Sequence, residues 1–106
     1  SLNSILDQDK LNEDASFFDA LKAEISWLNS EDIVAQRHAD NALYRCDSFP
    51  NVYYLLGEIA YRAKDFVNAA IYLKKSLDLG VSASYLENAQ KYYPKAQIIY
   101  YECVRN

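Results

Sequence analysis

His38 is the single histidine of this 106-residue chain, so imidazole-based acid–base or nucleophilic chemistry would have to be organised around it. The nearest thiol, Cys46, stands eight residues further on, roughly 12 Å along a helix rising 1.5 Å per residue, too far for a Cys–His dyad. Cys103 could meet His38 only through an accident of the tertiary fold. Cys46 and Cys103 lie far apart in the chain with no CxxC pair, so neither a zinc cluster nor a thioredoxin-type redox pair is encoded. GxGxxG, GxxxxGK[ST], HExxH and GxSxG are all missing, which removes phosphate-cradling loops, zincin helices and nucleophile elbows. Acid pairs such as Glu31-Asp32 suit a helix start better than general acid–base work. The residues therefore read as a non-enzyme without cofactor or metal.

The elements that carry these residues follow from composition. Apolar residues make up 51% of the chain and charged residues 25%, as in one soluble globular domain. Only two glycines are present, few for turns that need a left-handed backbone, and this favours long helices over many short strands. No stretch approaches the roughly 18 apolar residues of a membrane span. Ser1 in place of Met suggests a cut or processed start. Two thiols fit a reducing, cytoplasmic compartment.

Charge is uneven. Residues 1–40 hold nine acids against three bases, a balance of −6, while residues 41–106 balance at +2. No basic run exceeds Lys74-Lys75, so nucleic acid is excluded as a partner, because phosphate binding needs clustered cations.

The spacing predicts five to six helices. Residues 1–14 read as a linker or one weak helix. Phe17, Phe18, Leu21, Ile25 and Leu28 form the apolar stripe of a helix ending near Asn29. A second runs to about Arg45 with Ala35, Ala39 and Ala42 as a small-residue stripe. Pro50 opens a third over 50–63. A fourth carries Phe66, Ala69, Ala70, Leu73, Ser76 and Leu77, and Gly80 stops it. A fifth begins near Ser82 or Ser84 and ends or kinks at Pro94, where a sixth begins.

Ala23, Ala35, Ala39 and Ala42 are each followed, at one and the same interval, by a small or apolar residue: Gly57, Ala69, Leu73 and Ser76. The run Tyr53-x-x-Leu56-Gly57-x-x-Ala60 followed by Ala69-x-x-x-Leu73 resembles the tetratricopeptide repeat, whose 34-residue unit matches that interval and reads W-x2-L-G-x2-Y and then A-x3-F. The match is good over 50–83 and moderate over 16–49, where Asp19 and Lys22 replace an aromatic and Leu; after 83 the register is lost and 84–106 reads as a shortened pair or cap. The resemblance implies an all-α, right-handed superhelical stack of hairpins.

It also implies a non-enzymatic scaffold or adaptor that docks a peptide or helix of a partner protein in a concave groove lined by the first helix of each pair. On this chain that lining comprises Phe17, Glu24 and Trp27, then Asn51, Tyr54, Glu58, Tyr61 and Arg62. Aromatic anchors with a few charges are the composition that concentrates interface energy. Phe17 and Trp27 have a second reading as plain core. Members that clamp an acidic C-terminal tail use Lys and Asn where Ala20 and Glu24 stand here. Two further readings are a structural or self-associating repeat segment of a larger assembly and a regulatory domain excised from an enzyme.

Overall fold

The computed structural model describes residues 2–105, with side chains at 11 and 13–105. Among these the chain is all-α: α1 (Leu2–Leu28), α2 (Asp32–Arg45), α3 (Pro50–Arg62), α4 (Phe66–Leu79) and α5 (Ala83–Arg105), with no strand. It forms two compact units, Ser1–Ser48 and Phe49–Asn106.

In the first unit α1 packs on α2. The start expected as a linker or weak helix is part of α1, which continues unbroken to Leu28. Packing here is through small side chains. Ser16, Ala23 and Ser26 of α1 are buried, as are Ala35, Ala39 and Ala42 of α2, and side chains of that size let two helix backbones approach closely. The large apolar residues of the α1 stripe lie on the exposed side, from Leu21 at 40% to Leu28 at 64%.

In the second unit α3 packs on α4, and α5 packs on α4 while also reaching α3. Covered from two sides, α3 buries Val52, Tyr53, Leu55, Leu56, Ile59 and Ala60. Gly57 is required by close approach: a Cβ there would lie 2.7 Å from Leu73 Cγ and 3.2 Å from the Leu73 backbone nitrogen. Asp65 caps α4 by accepting the Asn68 amide at 3.3 Å, and Gly80 closes it in the left-handed region at φ 88°.

The fifth and sixth helices expected on either side of Pro94 are one helix. Pro94 removes the donor that would reach the Gln90 carbonyl, but both residues are exposed, so water can satisfy that oxygen. On the opposite side Ala89 and Ala96, two turns apart, are fully buried. Packing on both sides of the proline holds the helix through it.

The hairpin turns repeat. In the first, Ser30 takes φ 63°, Ser30 N donates to the Trp27 carbonyl at 3.0 Å, and Glu31 N donates to the Ser26 carbonyl at 2.8 Å. In the second, Lys64 takes φ 63°, Lys64 N donates to the Tyr61 carbonyl at 3.0 Å, and Asp65 N donates to the Ala60 carbonyl at 2.9 Å. Every donor and acceptor of the second turn stands as far along the chain from its counterpart in the first as Gly57 stands from Ala23.

Candidate docking surfaces

The groove residues of the second unit are together on α3, but α5 occupies their face. The Asn51 side-chain oxygen accepts the Ser82 amide at 3.0 Å. Tyr54 stacks on Tyr85, with ring centroids 4.9 Å apart and planes 10° from parallel. Tyr61 stacks on Tyr92 at 4.7 Å and meets Phe66 edge-on at 5.3 Å. The contacts of Asn51 with Ser82, of Tyr54 with Tyr85 and of Tyr61 with Tyr92 each span 31 residues.

Tyr54 is therefore not an open anchor. It is fully buried, and its hydroxyl lies against Glu58 and Asn88; burial first, and the Glu58 carboxylate second, push its pKa well above the usual phenol value. Truncating such a ring to Ala would cost about 3–5 kcal/mol of core packing before it touched any partner. Tyr61 is half-buried under Tyr92. Glu58 and Arg62 face each other at 3.7 Å, one turn apart, with Arg62 exposed. The fold uses this aromatic face to seat its own last helix.

In the first unit, Phe17 is exposed at 54%, while Glu24 and Trp27 are half-buried. Phe17 lies beside a run that includes Phe18, Leu21, Ile25 and Leu28, all exposed. The Phe17 and Phe18 rings contact each other edge-on at 6.5 Å. Phe18, Leu21 and Ile25 are absent from the expected lining because long apolar residues at helical spacing ordinarily mark a core face. A signal against that reading is present: Ser16, Ala23 and Ser26 form a second stripe on α1, matched in size to the Ala35, Ala39 and Ala42 stripe of α2.

His38 is half-buried, its Nδ1 3.9 Å from Asp19 Oδ1, and Arg45 reaches the other oxygen of that carboxylate at 3.5 Å. These are polar contacts that tie α2 to α1. Cys46 and Cys103 are free thiols. Among the described residues no group of three or more His, Cys, Asp or Glu side chains could hold a metal ion, and no helix is long and apolar enough to cross a membrane.

No protein-family model, curated protein or solved structure matches this chain.

A cleft of about 330 Å³ lies between α4 and α5, lined by Ala70, Ile71, Lys74, Tyr93, Gln97, Tyr100 and Tyr101. Of the neighbouring tyrosines of α5, which stand about 100° apart on a helix, Tyr92 turns to α3 while Tyr93 lines the cleft, whereas Tyr100 and Tyr101 both line it. Its one cation, Lys74, is bonded to Asp78 at 2.9 Å, and that carboxylate raises the ammonium pKa. Tyr93, Tyr100 and Tyr101 make up the aromatic part of its lining.

Proposed function

We propose that this chain is a non-enzymatic protein–protein interaction module of tetratricopeptide-like hairpins, a scaffold or adaptor that docks an apolar helix of a partner protein. The observation that carries this reading is the outer side of α1, where Phe17, Phe18, Leu21, Ile25 and Leu28 stay exposed although α1 already packs on α2 through its small residues. A contiguous apolar surface of several hundred Å² on a folded unit marks an interaction site rather than a random scatter of apolar residues. Helix-in-groove docking uses anchors at this spacing. The recurrence of the hairpin turn, with Ser30 and Lys64 in matching positions, supports the family resemblance. Two free thiols suit a reducing, cytoplasmic setting.

The docking face belongs to α1 rather than to the Tyr54–Tyr61 side of α3, which Tyr85 and Tyr92 cover. Immobilised wild-type chain and its Leu21→Lys/Ile25→Lys variant, compared for capture of proteins from native lysate, test this. The variant should keep its helical circular dichroism and lose the captured protein. Equal capture by both would move the site off α1.

A further inference from the structure

We infer that the exposed stripe of α1 pairs with the same stripe of a second copy of this chain, as a short two-helix seam. The inference rests on α1 being the docking face and names its occupant. Phe18, Leu21, Ile25 and Leu28 follow one another at intervals of three, four and three residues. Apolar residues recurring every 3.5 residues are the pattern of a helix seam in which side chains of one strand fill the gaps of an identical strand. Leu11 continues the stripe one heptad towards the N-terminus, and Asp14 interrupts it between. The opposite side of α1, with Ser16, Ala23 and Ser26, is committed to α2. The stripe side is the apolar side of α1 left exposed to a second helix.

Area favours this occupant. With exposures from 40% at Leu21 to 64% at Leu28, the stripe and the adjoining Leu11 and Phe17 offer roughly 650 Å² of apolar surface per copy. A symmetric pair that covered all of it would bury at most roughly 1,300 Å², at the lower end of the about 1,200–2,000 Å² seen for specific, stable interfaces. Because both copies present the same patch, the contact closes at two and leaves no sticky edge.

Charge supplies an independent readout. Ser1–Ser48 carries ten acids against four bases, so two copies repel, and apolar pairing between them tightens as salt screens that repulsion. A basic partner would instead be released by salt.

Sedimentation equilibrium of the whole chain through the micromolar range tests the proposal. The expected result is a mass rising towards twice that of one chain, at lower concentration in high salt. Leu21→Lys/Ile25→Lys should weaken pairing at least about 30-fold, as loss of interface anchors does. Ile98→Lys, at an exposed site on α5, should pair like wild type. If the double variant loses helix, Leu28→Glu takes its place. A wild-type chain that stays monomeric, or a helical double variant that still pairs, overturns the inference. A monomer whose lysate capture is abolished by Leu21→Lys/Ile25→Lys would reject self-pairing and leave α1 as the docking face.

Discussion

Gly57 and Leu73 meet so closely that a single added methyl at Gly57 would stand 2.7 Å from Leu73 Cγ and 2.8 Å from its Cδ2. The two residues fill one space between α3 and α4, the glycine yielding what the fully buried leucine takes. At the matching positions of the first hairpin stand Ala23 and Ala39, both fully buried.

Gly57→Leu should lower stability by at least ~1–3 kcal/mol through overpacking. Gly57→Ala gains up to about 1 kcal/mol of helix propensity and should still lose on balance. Combining Gly57→Ala with Leu73→Ala should cost less than the sum of the two single changes, because the second opens the space the first needs. Urea unfolding of the four proteins measures this coupling, and additive costs would mean that α3 and α4 do not interlock there.

Pro94→Ala should stabilise the chain by about 1–3 kcal/mol, because it restores the hydrogen bond to Gln90 and removes the ring from a helix interior. Pro94 is exposed and Ala89 and Ala96 hold the other side, so no packing is lost. A lower melting temperature would show that the proline serves the fold.

Ser30 and Lys64 hold positive φ without being glycine, each at 63°. Ser30→Gly and Lys64→Gly should each stabilise by about 0.5–1 kcal/mol, the relief of left-handed strain exceeding the added freedom of the unfolded chain. Gly80→Ala should do the reverse by about 1 kcal/mol at φ 88°. Nothing within 4 Å would meet the new methyl, so this loss would come from the backbone alone. Denaturant midpoints of the three variants separate these signs.

Tyr54 should make the fold sensitive to alkali. Its folded pKa is raised by burial and by Glu58, so the unfolded chain gives up this proton first, near the ordinary pKa of about 10. The contribution to stability is present in full below that pH and is lost as pH climbs from there towards the folded value, by up to about 1.4 kcal/mol per pH unit. Tyr54→Phe should flatten the fall in unfolding free energy above about pH 10 by that amount. An unchanged slope would place the hydroxyl in water.

By itself the sequence determined the helical class, the boundaries near Asn29, Pro50 and Gly80, and the regular spacing of small residues from Ala23 to Gly57 and from Ala35 to Ala69. Each of these depends on local backbone preference or on the size of a few side chains, and such preferences act before any distant contact forms. Only the tertiary structure decided which side of α1 faces inward, since two stripes at helical spacing compete and the choice falls to the partner: the alanines of α2 accept Ser16, Ala23 and Ser26 rather than Phe18 and Ile25. It likewise decided that Tyr85 and Tyr92 cover Tyr54 and Tyr61, and that α5 runs through Pro94. Those outcomes rest on surfaces brought together from separate helices or on burial opposite a local defect, and neither quantity is carried by a residue's immediate neighbours in the chain.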